Sequence, residues 1–190
     1  LHSFWIPQFA GKRDVFPGRH NPLWFKAEVT GTFSGTCAEF CGQQHARMMF
    51  RVISQTQAEF DAWVEQQRVG SPLVNGGRIA PADTTRPVVP VASDSLERAG
   101  LALFNSTGCI GCHSMVGAAT AGVVKMTGPN LSHVGSRGTI VAGLLPNTPE
   151  NLAKWLSNPD SVKSGTLMKL PRKLTDAEIA TLVAYLRSHQ

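Results

Sequence analysis

The four cysteines of this 190-residue chain constrain its fold more than any other feature, because they occur as two tight pairs. Cys37 and Cys41 have the spacing CxxxC, and Cys109 and Cys112 have the spacing CxxC. A chain of this size that is held by disulfides spreads its cysteines, so that the bridges close long loops. Pairs this close, each followed by a histidine, are typical of metal or cofactor sites. The sequence therefore predicts two such sites.

Composition excludes several classes of protein. Hydrophobic residues make up 42% of the chain and charged residues 16%, which is typical of globular domains. No apolar run reaches the roughly 18 residues that a membrane-spanning helix needs, so none is expected in this stretch. The net charge of +5 is spread thinly along the chain. Because a nucleic-acid partner requires a clustered basic face, none is expected.

The first 68 residues predict a β-rich domain that ends in one helix. Residues 24–29 and 49–53 are rich in β-branched and aromatic side chains and are expected to form strands. Thr56 and Glu59 match a capping box, and the apolar residues after them predict a helix that ends near Gln67.

Residues 69–92 predict a linker. Four prolines and three glycines fall within these 24 residues, and no aromatic residue does. This composition is typical of an extended, semi-rigid segment. The chain is therefore expected to divide into a domain at 1–68, a linker at 69–92 and a second domain at 93–190.

The second domain is expected to be all-α. Apolar residues at helical spacing follow a cap at Ser93 or Asp94, and a second helix is predicted over 150–156. The last helix begins with the capping box of Thr175 and Glu178 and continues with an apolar stripe at Ile179, Leu182, Val183 and Leu186.

Cys109, Cys112 and His113 form the motif CxxCH. Two thiols at this spacing can each add to a vinyl group of a haem, and the adjacent histidine then meets the iron. The alternatives are half of a zinc site or a dithiol. A zinc site needs two more good ligands, and this half of the chain has no second cysteine pair.

Residues 93–188 resemble class I cytochrome c, through CxxCH, the segment TGPNL at 127–131, the segment NLAKWLSNP at 151–159 and the segment SGTLM at 164–168. The resemblance implies a covalently bound haem c. It implies that His113 is the proximal ligand, held by a hydrogen bond to the carbonyl of Pro129, and that Met168 is the axial sulfur ligand. Met126 is the rival for this last role.

The sequence also predicts the surroundings of three further residues in the second domain. By the same resemblance, Arg137 is a candidate partner of a haem propionate, and the alternative is an ordinary surface arginine. His133 and His189 are expected to be solvated surface residues.

The first cysteine pair belongs to the pattern C-x-E-x-C-x3-H-x2-M, which spans Cys37 to Met48. Two thiolates, an imidazole and a thioether are soft ligands and favour copper. Two thiolates can bridge two coppers, each of which then needs a terminal histidine. His45 supplies one and His2 the other. The alternative is a zinc site made by Cys37, Cys41, His45 and one more ligand.

Residues 1–68 resemble the binuclear CuA domain of cytochrome c oxidase subunit II, through this pattern and the segments HSFWIP at 2–7, PGRHN at 17–21 and FSGTC at 33–37. The resemblance implies a cupredoxin-like β fold with Cys37 and Cys41 as bridging thiolates. It implies His2 and His45 as terminal ligands, Met48 as a weak axial ligand and Glu39 as a ligand through its backbone carbonyl. The Glu39 carboxylate is implied to help bind magnesium at the boundary with subunit I.

In that family many strands of the barrel, and a membrane anchor, precede the first histidine ligand, which here is residue 2. The N-terminal part of the barrel is therefore expected to come from a longer chain or from a separate polypeptide.

The two resemblances together imply subunit II of a haem–copper oxidase with a fused cytochrome c. It would take electrons from an external cytochrome or other donor and pass them to subunit I, at the periplasmic or outer face of the bacterial inner membrane. The alternatives are the tail of a nitrous-oxide reductase and a free-standing electron carrier. Glu39 and Gly42 favour the oxidase, since the reductase typically has Trp and His at these positions.

Overall fold

The computed structural model describes residues 1–9, 11–68, 94–115 and 128–189. The predicted linker at 69–92 and the rival ligand Met126 lie outside the described residues. Within the described part of the chain, no helix is both long enough and apolar enough to cross a bilayer.

The N-terminal part is an antiparallel sheet. Its strands are β1 (His2–Trp5), β2 (Arg13–Val15), β3 (Gly31–Cys37) and β4 (Met49–Ser54), in the spatial order β2-β1-β3-β4. Phe4 pairs with Cys37, so the antiparallel register places His2 just beyond the end of β3. The sheet thereby brings the start of the chain to the first cysteine pair.

The strand predicted over 24–29 is wrong, because the described structure has no strand there. Trp24 is 82% exposed and Val29 is 62% exposed, so these residues gain little of the packing that makes a strand favourable. The strand that pairs with β4 is β3, in which Gly35 lies opposite Phe50. The missing side chain of Gly35 leaves room for the Phe50 ring, which stacks on Phe4 at 4.7 Å.

The other N-terminal predictions are confirmed. Strand β4 starts at the predicted residue, and helix α1 (Gln57–Arg68) follows the capping box. The Glu59 carboxylate accepts hydrogen bonds from the backbone N–H and the hydroxyl of Thr56, at 2.8 and 2.9 Å. These bonds satisfy groups that the helix start would otherwise leave unpaired.

The C-terminal part is mainly helical, as predicted. Its helices are α2 (Asp94–Ser106), α3 (Pro149–Ser157), α4 (Pro159–Val162) and α5 (Asp176–Ser188). The Thr175 capping box is present at the start of α5. A short hairpin of β5 (Thr139–Ile140) and β6 (Leu145–Pro146) and the short helix α4 were not predicted.

Helices α2 and α5 pack closely, because α2 carries Gly100 where it meets Tyr185 of α5. A Cβ on Gly100 would lie 2.3 Å from Cβ of Tyr185 and 2.4 Å from its Cγ. Phe104 and Tyr185 lie beside this crossing and are each 1% exposed. The core of this half continues through the apolar side chains of α3 and α5.

The prediction that His189 is a surface residue is wrong. His189 is 1% exposed, and its Nδ1 lies 2.7 Å from the carbonyl oxygen of Tyr185. The N–H of Gly135 donates a hydrogen bond of 2.6 Å to the carbonyl of His189. The end of α5 is therefore held against the turn at Val134–Ser136, and the imidazole is enclosed there. His133 is half-buried rather than solvated.

Candidate copper and haem sites

The predicted copper ligands converge at the end of β3. Cys37 is the last residue of β3 and is buried, whereas Cys41 and the 3₁₀ turn His45–Arg47 lie in the loop that leads to β4. Strand β1 supplies His2, which lies outside the sequence pattern that spans Cys37 to Met48. His2, Cys37 and Cys41 each offer a ligand atom, and these atoms lie within 4.8 Å of one another.

The ligand atoms surround the two sulfurs. Sγ of Cys37 lies 3.8 Å from Sγ of Cys41 and 3.7 Å from Nδ1 of His2. Sγ of Cys41 lies 3.8 Å from both Nδ1 of His45 and Sδ of Met48. The backbone carbonyl oxygen of Glu39 lies 3.2 Å from Sγ of Cys37. The four other residues predicted for the site thus each lie beside one of the two thiols.

The geometry of the pair fits a shared metal. A disulfide would hold the sulfurs at about 2.05 Å, so the separation of 3.8 Å is that of two free thiols. Two thiolates that both bind one ion at about 2.3 Å lie no more than about 4.6 Å apart, so the observed gap permits bridging. The donor set of sulfur and imidazole groups suits copper and zinc rather than magnesium or calcium.

The environment favours ionisation of one of the two thiols. Burial opposes the loss of the Cys37 proton, but hydrogen bonds to the backbone of Ser3 and Glu39 and to the imidazoles of His2 and His45 outweigh it. Together they lower the pKa of Cys37 to about 6. Burial, and then the neighbouring Cys37, raise the pKa of Cys41. Because thiolates rather than thiols bind metals, the cluster already favours one thiolate at neutral pH.

The predicted haem residues line one cavity in the C-terminal part. This cavity has a volume of about 500 Å³, which lies in the range of ligand and cofactor pockets. Its wall includes all six residues that the sequence singled out, namely Cys109, Cys112, His113, Pro129, Arg137 and Met168. A covalent attachment pair and both predicted axial ligands therefore face one space.

His113 is oriented by its neighbours. Its Nδ1 lies 2.8 Å from the carbonyl oxygen of Pro129, and this carbonyl can only accept, so Nδ1 carries the proton. The other ring nitrogen is then the one available to a metal. Gly128 makes the contact possible, because a Cβ there would lie 2.4 Å from Cε1 of His113 and 2.9 Å from the Cys112 carbonyl oxygen. The sequence marks Gly128 only as part of the segment TGPNL.

The cysteines of the motif are also positioned by local contacts. Gly108, with a φ of 77°, ends the turn before Cys109 in the left-handed region that glycine tolerates. The Thr107 hydroxyl donates to the Leu103 carbonyl at 2.6 Å and lies 3.3 Å from Sγ of Cys109. Thr107 was not predicted as a site residue, since a threonine after a helix is ordinarily a local cap.

The methionines differ in their settings. Met168 is half-buried and lines the cavity. Met115 is 3% exposed and belongs to the hydrophobic core. Arg137 lines the cavity and donates from its guanidinium to the carbonyl of Asn130, so it is tied to the loop that holds Pro129.

Two family models match the chain, and together they cover both sites. Residues 1–55 match "Cytochrome C oxidase subunit II, periplasmic domain", and residues 98–190 match "Cytochrome c". The first family implies a CuA centre and the second a haem c, in agreement with the two donor sets.

Curated relatives match over nearly the whole chain. "Cytochrome c oxidase subunit 2" of Alkalihalophilus pseudofirmus is 37% identical over 99% of this chain and 48% of its own length. The proteins of the same name from Bacillus sp. strain PS3 and Bacillus subtilis strain 168 are 38% and 33% identical, each over 98% of this chain and 49% of its own length.

The chain thus spans about half the length of the curated relatives it matches. In each of these relatives, one continuous match runs through both the copper half and the haem half. This shared order of domains, with the two family matches, decides the classification. The chain belongs to the cytochrome c oxidase subunit II family, in the form that carries a cytochrome c domain after the copper domain.

Proposed function

We propose that this chain is the electron-entry part of a respiratory haem–copper oxidase. The observation that carries the proposal is the presence, in one chain, of a paired-thiol copper site and a cavity lined by CxxCH and a methionine. When bound, haem c and CuA each exchange single electrons, which would connect an external donor to subunit I, where oxygen reduction and proton pumping take place. In this proposal, both domains lie on the periplasmic or outer side of the inner membrane.

At the copper site, Cys37 and Cys41 are proposed as bridging thiolates and His2 and His45 as terminal ligands. Met48 and the carbonyl of Glu39 complete the set as weaker ligands. The proposal is supported by the distances of 3.2 to 3.8 Å that connect these groups to the two sulfurs. Strand β3 and the loop that follows it hold the donors in place, so little rearrangement would accompany binding.

At the haem site, Cys109 and Cys112 are proposed to attach the porphyrin, with His113 and Met168 as axial ligands. The hydrogen bond to Pro129 fixes the His113 tautomer and raises the basicity of its free nitrogen. A sulfur ligand favours the reduced iron and raises its reduction potential, which suits an electron carrier. Arg137 is proposed as a partner of a haem propionate, supported by its place in the cavity wall.

The copper domain is proposed to be covered by further protein. Among the described residues, the large apolar side chains that are exposed all lie before residue 69, with the exception of Leu167. Exposed apolar surface of this extent is typical of an interface. The proposed partners are subunit I and a segment or chain that completes the barrel and anchors it in the membrane. An external cytochrome or other donor is the transient partner.

The oxidase function is favoured over two alternative functions. The matched subunit II family favours the oxidase over the tail of a nitrous-oxide reductase. The exposed apolar surface of the copper domain disfavours a free-standing carrier. The boundaries at 68/69 and 92/93 remain predictions, since both adjoin residues outside the described ranges.

Elemental analysis of the purified complex, and of this chain after its separation from subunit I, tests the proposal. We expect copper and covalently held iron porphyrin in a ratio of two to one per chain. Zinc in place of copper, or haem that acid–acetone extracts, would contradict it.

The Glu39→Gln variant tests the proposed magnesium role of the carboxylate in the same measurement. This variant keeps the backbone carbonyl, so copper content should be unchanged. It removes a hard anionic ligand, so magnesium or manganese bound at the subunit boundary should fall. Loss of copper with retention of the hard metal would show that the two roles are assigned to the wrong groups.

A further inference from the structure

Two loops of the cytochrome domain that line the haem cavity also contact the copper domain. In the turn between β5 and β6, the carbonyl of Ala142 accepts a hydrogen bond of 3.2 Å from the N–H of Met49. The next carbonyl, of Gly143, accepts a hydrogen bond of 3.1 Å from Nη2 of Arg51. Both acceptors therefore come from one turn, and both donors from the start of β4.

The second loop precedes the proposed ligand Met168. The side-chain amide of Gln44 donates to the carbonyl of Ser164. Gly165, with a φ of 78°, presses against the same loop, because a Cβ there would lie 2.7 Å from Cδ of Gln43 and 3.0 Å from Nε2 of Gln44. Gln44 is the direct neighbour of the proposed copper ligand His45. The two predicted sites are thus joined through adjacent backbone segments.

The turn between β5 and β6 has a strained backbone. Val141, Ala142 and Gly143 have φ values of 56°, 56° and 77°, all in the left-handed region. A β-branched residue such as Val141 rarely adopts this conformation. Backbone strain of this kind persists where the surrounding structure holds it, and it is found at functional contacts. Here the left-handed turn directs two successive carbonyls at the copper domain.

Among the described residues, no ion pair joins these two surfaces. The three hydrogen bonds end on neutral backbone carbonyls. Lys163, which lines the haem cavity, lies close enough to Arg47 to be affected by its charge. Burial, and then this like charge, lower the pKa of Lys163. This one pair of like charges therefore opposes the contact, whereas the hydrogen bonds favour it.

We propose that residues 141–143 and 163–165 form a docking seam, which holds the haem cavity against the copper loop of the same chain through hydrogen bonds to backbone carbonyls rather than through ion pairs. The partner of this surface is the chain's own segment 43–51. The seam deepens the proposed electron-entry function, on which its biological role rests. Unlike a docking surface built on opposite charges, it remains closed as the salt concentration rises.

The amide proton of Met49 tests the seam directly, because its acceptor lies in the other domain. Hydrogen exchange is measured at Met49 in the metal-loaded complex. The amide of Cys37, which bonds to the Met48 carbonyl at 3.0 Å within the copper domain, serves as the internal reference. Gln44→Ala is expected to lower Met49 protection about fivefold, and Arg51→Ala about tenfold or more because its donor is charged. Arg19→Ala, at an exposed arginine of the same domain, is the matched control and should change neither amide.

A variant on the opposite side separates loss of the seam from local unfolding of the copper domain. Gly165→Ala introduces a Cβ against Gln43 and Gln44 and should lower Met49 protection while Cys37 protection is kept. Gly18→Ala is its control, because Gly18 also has a left-handed φ, of 71°, but a Cβ there would meet nothing within 4 Å. Equal effects of the two variants would overturn the proposal.

Two further changes should leave Met49 protection unchanged or raise it, in contrast to the variants above. Higher salt screens the repulsion between Arg47 and Lys163, so Met49 protection should hold or increase. Arg47→Gln should increase it severalfold. Protection that falls as salt rises would overturn the proposal, as would unchanged protection in Gln44→Ala and Arg51→Ala. Metal and haem content of the same samples reports separately on the proposed function, which can fail while the seam is present.

Discussion

At the scale of single residues, the orientation of His113 depends on the absence of a side chain at Gly128. Gly128 approaches the imidazole so closely that any Cβ would displace it from the Pro129 carbonyl. The motif CxxCH predicts the ligand, and the resemblance implies the carbonyl. The need for a glycine at 128 follows only from the packing, because no local pattern encodes a contact between residues 15 positions apart.

Met168, the proposed axial ligand, is the residue whose substitution gives the most specific spectroscopic result. In Met168→Ala we expect the reduction potential of the haem to fall, because the soft sulfur ligand that favours ferrous iron is removed. The weak sulfur–iron absorption in the near infrared should disappear. Potentiometry and absorption spectroscopy of the purified variant measure both. Met126→Ala is the control and should keep the band. A band lost in Met126→Ala and kept in Met168→Ala would reverse the assignment.

At the scale of secondary-structure elements, the crossing of α2 and α5 is set by Gly100. Gly100→Ala places a Cβ within 2.4 Å of two Tyr185 atoms near the α5 backbone, which cannot swing away. We expect a loss of about 1–3 kcal/mol in the free energy of unfolding, typical of overpacking, reduced by the roughly 1 kcal/mol that alanine gains over glycine in a helix. Chemical denaturation of the haem-loaded protein measures it. Gly138→Ala, with open space at its Cβ, is the control. An unchanged midpoint in Gly100→Ala would show that the helices separate freely.

The helices and strands also show which local sequence signals predict secondary structure correctly. The helices could be predicted because capping boxes at Thr56 and Thr175 precede clear apolar stripes. Strand β3 could not, because Gly31 and Gly35 hide its β propensity and its partner Phe50 lies 15 residues away. Residues 24–29 carry strong β propensity, but Trp24 is largely exposed in the structure. Strand prediction fails here for lack of tertiary information, whereas helix signals are local.

At the scale of the whole molecule, burial is unevenly divided between the two domains. Among the described residues, the buried apolar side chains of the copper domain are Ile6 and Cys37, and the rest lie in the cytochrome domain. The copper domain therefore depends more on its ligand cluster and on neighbouring protein. Metal that binds the folded state stabilises the domain that supplies the ligands.

Removal of copper should consequently affect the two domains unequally. With a copper chelator under reducing conditions, we expect hydrogen-exchange protection in β1 and β3 to fall by about tenfold or more, while α2 and α5 change by less than about twofold. Mass spectrometry resolves the two regions in one sample. Restoring copper should restore protection. Equal losses in both domains, or none in β3, would contradict the division.

The relation between the domains is the part of the molecule that the sequence predicts least. Six candidate residues at each site could be identified from spacing and resemblance, and the structure brings each set together. Nothing in the sequence indicates that Arg51 and Gln44 would meet the carbonyls of Gly143 and Ser164. These contacts join residues 92 and 120 positions apart, and their acceptors are backbone atoms that every residue possesses.

The gap of 3.8 Å between the sulfurs of Cys37 and Cys41 has a consequence for maturation. The same closeness that lets two thiolates share metal also lets them be oxidised to a disulfide, a reaction that the proposed location on the outer side of the inner membrane would favour. The lowered pKa of Cys37 makes it a ready nucleophile for disulfide exchange. An apo-protein that meets oxidant first would be locked in an unproductive form. At the proposed location, assembly would therefore require either copper delivery before oxidation or a dithiol that reduces the disulfide again.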